Sequence, residues 1–261
     1  IIERLQKGVS KVLDDSRYDP TPGISDWVVA DMITGWGVTE AVRLFYKIWR
    51  DGHEGKRVMV QGFGNVGGAA AYYAALMGFK VVGIIDRTGG LINKDGFSVK
   101  ELSDLLLARD GNALAAPNLI PYDEMEEKIY DLEFEAFLPC ARSRILNRDQ
   151  MDRMVKSGLE VVSCGANVPF ADEEIFLGPT AIHADHLCSV IPDFIANCGM
   201  ARAFAYFMEG NGPLEDDAIF QDVTQTIEKA LMDLYDRDQT ETKLWQRGLS
   251  IALDKLEGKT S

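Results

Sequence analysis

The sequence predicts an α/β fold with a doubly wound, mostly parallel sheet and flanking helices. Short apolar runs alternate along the chain with stretches of helical periodicity. The apolar runs are nearly continuous, which is typical of strands buried on both faces of a parallel sheet. A glycine-rich turn joins the first of these runs to the helix that follows it.

The change of hydrophobic period locates the individual elements. Helices are expected at residues 1–13, 38–50, 65–78, 147–158 and 216–235, the last of them closing the chain. Strands are expected at residues 57–62, 79–86, 134–140, 159–166 and 180–186. Asn147 is a suitable N-cap for the helix after it, and the prolines of residues 14–23 indicate a loop.

Composition limits the possible functions. The net charge of -14, from 27 basic and 41 acidic residues, would repel a phosphate backbone, so nucleic acid is not an expected partner. No apolar run approaches the length of a membrane span, so no membrane partner is expected either. The four cysteines form no CxxC pair, which favours a reducing compartment and a cytoplasmic protein.

One short segment contains several possible metal ligands but is not informative. His183, Asp185, His186 and Cys188 lie within six residues, but their spacing on the expected strand does not make a tetrahedral set, and no metal site is expected. Asp185 alone is a candidate to lie near a bound cofactor. The cysteines are expected to be buried thiols rather than nucleophiles.

The glycine turn indicates a dinucleotide site. Its six residues match GxGxxG between a strand and a helix, and they are Gly62, Phe63, Gly64, Asn65, Val66 and Gly67. The first glycine allows the tight turn, the second lets a diphosphate approach the backbone, and the third lets the helix pack on the strand. The free N–H groups of the helix then face the anion.

An acid at the end of the next strand supports this interpretation. Together with the glycine turn it predicts a Rossmann-like fold. Asp86 follows Gly62 by 24 residues and is placed to accept hydrogen bonds from a ribose. It should repel a 2′-phosphate, which favours NAD, whereas the adjacent Arg87 would pair with that phosphate and leaves NADP possible.

Five stretches resemble the glutamate/leucine/phenylalanine/valine dehydrogenases, specifically their C-terminal, dinucleotide-binding half. In chain order they are TGWGV from Thr34, VQGFGNVG from Val60, LPCA from Leu138, GANVP from Gly165 and VIPDFIANCG from Val190. The resemblance implies reversible oxidative deamination of an amino acid with NAD(P) and an oligomeric protein, usually a homohexamer. It also implies that Thr34, Asn167 and Asn197 lie near the nicotinamide, and that Cys140 and Ala141 line the wall beside the cofactor.

The resemblance also implies that residues 1–261 are a single dinucleotide-binding domain with helical edges. The reactive lysine and aspartate of the family would lie in a substrate domain upstream of this region. Lys56, Lys80, Lys94 and Lys100 are expected to be solvated, so the catalytic residues are unknown and this chain alone should bind cofactor without turnover.

The sequence departs from the family pattern at several positions. Met200 stands at a usual glycine, Phe204 or Ala205 at a usual hydroxyl residue, and Trp36 at a common arginine, while Ser163 and Cys164 replace an acid. These changes leave the amino-acid substrate open. They also keep two alternatives: an inactive nucleotide-sensing or scaffold subunit, and a 2-hydroxy-acid dehydrogenase, which would need a histidine paired with a carboxylate.

Overall fold

The computed structural model describes residues 27–210, 212–213 and 215–258. The helix expected at residues 1–13 and the loop expected at 14–23 therefore lie outside the described residues. The strands are β1 Arg57–Gln61, β2 Lys80–Asp86, β3 Gly89–Phe97, β4 Ala136–Pro139, β5 Val161–Ser163 and β6 Ser189–Ile191. The helices are α1 Val29–Trp49, α2 Asn65–Leu76, α3 Val99–Leu107, α4 Tyr122–Ile129, α5 Arg148–Lys156, α6 Pro179–Leu187, α7 Asp193–Ala196, α8 Gly199–Glu209, α9 Asp216–Arg237 and α10 Leu244–Leu256.

The described strands form one sheet in the order β3-β2-β1-β4-β5-β6. Strands β2, β1, β4, β5 and β6 are parallel, and only β3 runs antiparallel, beside β2. The strand order reverses at β1, which places the carboxyl ends of β1 and β4 side by side. The expected doubly wound, mostly parallel sheet is confirmed.

Each face of the sheet supports its own core. Along β1, Val58 and Val60 belong to one core and Met59 to the other, because successive side chains point to opposite faces. The first core is closed by α1, α2 and α9, and the second by α4, α5 and α6. Burial on both faces explains why the strands are nearly continuous apolar runs.

Local signals account for several helix ends. Asn147 caps α5, because its side chain accepts a hydrogen bond from the Gln150 N–H at 3.0 Å. Helix α9 begins after Glu215 with Asp216 and Asp217 in its first turn, where the helix dipole favours acids. No described helix has the length and apolar character needed to cross a membrane.

Two sequence expectations about secondary structure are wrong, and one strand was not expected. Residues 180–186 belong to helix α6, not to a strand; Pro179 begins this helix, and Ala181, Ala184 and Asp185 are buried with helical spacing. The strand follows at Ser189–Ile191. Strand β3 was not expected, since its polar residues 93–95 hide the pattern, and α10 follows the helix that was expected to close the chain.

Asp185 lies at the start of α10 and does not line the cavity at the glycine turn, so its expected place near a bound cofactor is wrong. Its carboxylate accepts hydrogen bonds from the N–H groups of Trp245 and Gln246, both at 3.0 Å. The side chain is fully buried. Asp185 therefore caps the last described helix and holds it against the second core.

We expect Asp185→Ala to lower the free energy of unfolding by about 2 kcal/mol, because two N–H groups in the first turn of α10 would lose their acceptor. Urea unfolding followed by circular dichroism measures the loss. Asp236→Ala, which removes an exposed carboxylate from α9, is the matched control and should have little effect. Equal stabilities of the two variants would contradict the capping role.

Candidate functional site

The glycine turn is formed by very close backbone contacts. Gly62 has a φ of +93°, and a Cβ there would lie 2.7 Å from the Cα of Ala141. A Cβ on Gly67 would collide with the carbonyl oxygen of Gly62 and lie 3.1 Å from the Cβ of Cys140. The first and third glycines therefore bring α2 against β1 and the segment after β4.

The middle glycine of the turn is in a different position. Gly64 is the N-cap of α2, with a φ of -74°, and the nearest atom to a Cβ there would be the Cβ of Asn112 at 3.8 Å. Apart from Gly64 itself and its two chain neighbours, no described atom comes closer than 3.8 Å to this position. The absence of a side chain at Gly64 leaves the N-terminal turn of α2 open to a ligand.

This turn opens onto a cavity of about 1020 Å³ at the carboxyl ends of β1, β2 and β4. The size is sufficient for a dinucleotide or another large ligand. Its lining residues are Gln61, Gly62, Phe63, Gly64, Asn65, Val66, Ile85, Asp86, Arg87, Asn112, Tyr122, Glu126, Cys140, Ala141, Arg142, Arg144 and Ile145.

The charge of the cavity wall differs from that of the whole chain. The wall carries three arginines, Arg87, Arg142 and Arg144, and two carboxylates, Asp86 and Glu126. None of the three arginines has a carboxylate within 4.0 Å among the described residues. A locally positive wall in a chain of net charge -14 is suited to an anionic ligand.

The cavity brings together most of the residues predicted from the sequence. Nine of them line it: Gly62, Phe63, Gly64, Asn65, Val66, Asp86, Arg87, Cys140 and Ala141. The ring of Phe63 is buried in the first core, so Phe63 meets the cavity through its backbone. Gly67 lies beneath the turn.

Thr34, Asn167 and Asn197 do not line the cavity. Asn197 donates from Nδ2 to the Gly165 carbonyl and to Asn167 Oδ1, each at 2.9 Å. A Cβ on Gly165 would lie 2.5 Å from Cys140 Sγ. This segment therefore connects the two asparagines to the cavity wall, whereas Thr34 is buried in α1. Their contact with a nicotinamide stays a prediction.

Asp86 is held in a defined orientation at the end of β2. One carboxylate oxygen accepts a hydrogen bond from the Arg87 N–H at 2.6 Å, and the other accepts one from the Leu114 N–H at 2.7 Å. Each carboxylate oxygen has two lone pairs, so both retain the capacity to accept another hydrogen bond. Asp86 is thus preorganised as an acceptor at the edge of the cavity.

The thiols near the site are buried. Burial raises the pKa of Cys140 and of Cys164, and it raises the pKa of Cys188 to about 12. The expectation of buried thiols is confirmed for these three residues. Neutral buried thiols pack as small hydrophobic groups and are poor nucleophiles.

The histidines do not form the pair that a 2-hydroxy-acid dehydrogenase would need at this cavity. His53 hydrogen-bonds the Met77 carbonyl, and His183 lies 2.5 Å from Asp152 on the outside of α5 and α6. His186 is exposed, and none of the three lines the cavity. Within the described ranges, no three metal-binding side chains of the His, Cys, Asp or Glu type are grouped around a common point.

The four lysines that the sequence singled out lie away from the cavity. Lys80, Lys94 and Lys100 are exposed, as expected. Lys56 departs from the expectation because it is half-buried and pairs with Glu160 at 2.9 Å, close to the amino ends of the strands. It is therefore at the opposite edge of the sheet from the glycine turn.

Three of the departures from the family pattern are packing residues. The indole N–H of Trp36 donates to Thr224 Oγ1 at 3.0 Å, and its ring contacts Tyr73 of α2 and Phe220 of α9 edge-on, which ties α1 to both helices. Met200 and Phe204 are half-buried against the first core.

Sequence reasoning missed eight lining residues, which are Gln61, Ile85, Asn112, Tyr122, Glu126, Arg142, Arg144 and Ile145. Arg142 and Arg144 directly follow the carboxyl end of a predicted strand, which is a signal that was available. Tyr122 and Glu126 approach the cavity from α4, one turn apart, and only the tertiary packing of that helix reveals them.

Comparisons with known proteins agree with this geometry. The family model for Glutamate/Leucine/Phenylalanine/Valine dehydrogenase matches residues 28–253. An NADP-specific glutamate dehydrogenase of Saccharolobus shibatae is 30% identical over 175 residues, which are 64% of this chain and 37% of that protein. An NAD-specific glutamate dehydrogenase of Staphylococcus aureus is 26% identical over 212 residues, which are 80% of this chain and 48% of that protein.

A solved structure has the same fold. The hetero-hexameric glutamate dehydrogenase of Thermus thermophilus, in a leucine-bound form, superposes with a TM-score of 0.68 at 24% identity, covering 88% of this chain and 53% of that one. This chain thus spans about half or less of the length of these relatives. With the family model matching nearly all of the described residues, the chain belongs to the glutamate/leucine/phenylalanine/valine dehydrogenase family.

Proposed function

We propose that this chain is the dinucleotide-binding part of an NAD(P)-dependent amino-acid dehydrogenase, which oxidises an L-amino acid to a 2-oxo acid. The observation that carries the proposal is the unfilled space at Gly64 above an arginine-lined cavity. Family membership supports the same reaction class. The relatives named above are glutamate dehydrogenases, so glutamate is the first substrate to test.

The residues of the cavity fit a dinucleotide. The N-terminal turn of α2 presents backbone N–H groups to the diphosphate, and Gly64 lets it approach. Arg87, Arg142 and Arg144 add positive charge around it. The bound nicotinamide would supply the hydride acceptor, while this chain binds and orients the cofactor.

Asp86 favours NAD over NADP in this proposal. Its fixed carboxylate would accept hydrogen bonds from the ribose hydroxyls and repel a 2′-phosphate. Arg87 is exposed next to it and would offset part of that repulsion. At the other end of the cofactor, Thr34, Asn167 and Asn197 would lie near the nicotinamide.

The base that the reaction needs is proposed to come from outside the described residues. Burial and the neighbouring Glu126 raise the pKa of Tyr122, and burial raises that of Cys140, so both groups stay protonated at neutral pH. Amino-acid oxidation requires a deprotonated base near the substrate. We therefore propose that a substrate domain contributes the catalytic lysine and aspartate. We also propose that the whole protein is a cytoplasmic oligomer.

Alanine at two glycines of the turn should affect different properties, the stability of the fold in one case and the affinity for NAD in the other. Gly67→Ala should destabilise the fold, because its Cβ collides with the Gly62 carbonyl. Gly64→Ala should leave stability nearly unchanged, since its Cβ has room, but reduce NAD affinity at least about tenfold by obstructing the diphosphate. Thermal unfolding and calorimetric titration measure the two effects. Wild-type affinity in a folded Gly64→Ala variant would contradict the proposed phosphate position.

Asp86→Ser should weaken NAD binding by about 5- to 150-fold, equivalent to about 1–3 kcal/mol, because charge-assisted bonds to the ribose are lost. NADP binding should weaken less or improve. Asp95→Ser, on the exposed β3 hairpin, is the matched control. If the wild-type protein prefers NADP, or if Asp86→Ser binds NAD normally, the role assigned to Asp86 is wrong.

This chain alone should bind the cofactor without turning over any amino acid. A longer protein that also contains a substrate domain should reduce NAD(P) with at least one L-amino acid, and the absorbance of the reduced cofactor measures this reaction. Glutamate, leucine, phenylalanine, valine and tryptophan are tested in parallel. Turnover by this chain alone would show that the base lies within it, and a longer protein that binds cofactor but oxidises none would favour the nucleotide-sensing alternative.

A further inference from the structure

An arginine outside the cavity is connected to the glycine turn. Arg109 donates from Nη1 and from Nη2 to Asn65 Oδ1, each at 3.2 Å, and Asn65 is the first residue of α2. A Cβ on Gly68 would lie 3.9 Å from Arg109 Nη1. The guanidinium therefore packs against the N-terminal turn of the helix that begins at Gly64.

These two hydrogen bonds use the full acceptor capacity of the Asn65 side-chain oxygen. Its Oδ1 has two lone pairs, and both are used by Arg109. Its Nδ2 donates to Asp31 Oδ1 at 2.8 Å, and Asp31 lies in the first turn of α1. The Asn65 amide thus joins α1, α2 and Arg109, and Asn65 meets a ligand mainly through its backbone.

Arg109 is held in place by an aromatic ring and not by an ion pair. The guanidinium stacks over the indole of Trp27 at 4.4 Å from the ring centroid. Among the described residues, no carboxylate lies within 4.0 Å of its nitrogens, and no atom accepts a hydrogen bond from its buried Nε. A half-buried cation without a close counter-charge is unfavourable on its own.

This cation lies beside a second source of positive potential, the N-terminus of α2. The two repel each other, and an anion bound at Gly64 would be attracted by both. Asp31, which accepts a hydrogen bond from the same Asn65 amide, offsets part of the Arg109 charge without pairing with it. A cation that the fold compensates only in part next to an anion site is a feature of preorganised electrostatic binding.

We propose that Arg109 is a positioning residue for the diphosphate of the cofactor, acting through Asn65 and through its charge. The inference rests on the proposed function, because it assumes that a dinucleotide binds at the turn. It assigns two separable effects: the hydrogen bonds to Asn65 fix the first turn of α2, and the charge strengthens the attraction of phosphate.

The test compares ligands with and without phosphate. Arg109→Met keeps an apolar stem over Trp27 but removes the charge and the bonds to Asn65. It should weaken NAD and ADP binding by about tenfold, measured by calorimetry, and leave adenosine binding, measured by ligand-observed NMR, unchanged. It should also reduce the dependence of ADP affinity on salt concentration.

Two further variants separate the effects. Arg109→Lys keeps the charge and should restore the salt dependence, with a smaller loss of ADP affinity. Asn65→Ala keeps the charge but breaks the connection, and should weaken ADP binding without changing its salt dependence. Arg148→Met, which removes an exposed arginine from α5, is the matched control and should bind like the wild-type protein.

The outcomes distinguish this inference from the proposed function. If the wild-type protein binds neither NAD nor NADP, the proposed function fails. If it binds them and Arg109→Met binds ADP equally well, only the role of Arg109 is overturned. Equal losses for adenosine and ADP would also overturn it, because they would show a general distortion of the cavity. If Arg109→Met does not fold, the ADP affinities of Arg109→Lys and Asn65→Ala test the role of Arg109 instead. Wild-type ADP affinity in both variants would overturn it.

Discussion

The contact between Gly67 and the carbonyl of Gly62 is the constraint on which the site depends. It allows α2 to begin directly above the end of β1, so that the N-terminus of α2 faces the cavity. Helix α1 approaches α2 equally closely, since a Cβ on Gly35 would lie 2.5 Å from the Cβ of Ala69. Larger residues at these positions would separate the layers and move the N–H groups away from their ligand. The small residues of α2 are thus a requirement of the site and not only a feature of packing.

Electrostatics act on two scales in this protein. The net charge of -14 repels polyanions at long range. At the cavity, arginines without carboxylate partners and the dipole of α2 make the wall locally positive. Screening limits the reach of both charge distributions to about one Debye length, so a small anion inside the cavity would interact mainly with this wall and not with the acidic outer surface.

The sequence predicted those parts of the fold and site that depend on local chemistry. The glycine turn, the acid at Asp86 and the cap at Asn147 each have a short-range signal, and the structure places them as expected. The strand expected at 180–186 is wrong because Ala181, Ala184 and Asp185 recur with the spacing of one helix face, and Pro179 stands at the first position of that helix, where proline is favoured. Tyr122 and Glu126 could not be predicted, because their approach to the cavity depends on how α4 packs on β2 and β3.

The residues that depart from the family pattern lie outside the cavity wall. Trp36 fills space between α1 and α9, and Met200 and Phe204 pack α8 on the first core, whereas the cavity wall is built from the ends of β1, β2 and β4. In the proposed function, dinucleotide binding depends on backbone N–H groups and on a few charged side chains of that wall. Met200 and Phe204 do not line the wall, whereas the ring of Trp36 contacts Tyr73 of α2, the helix whose N-terminus opens onto the cavity. A change at position 36 can therefore shift α2, while changes at positions 200 and 204 act on the other side of α1.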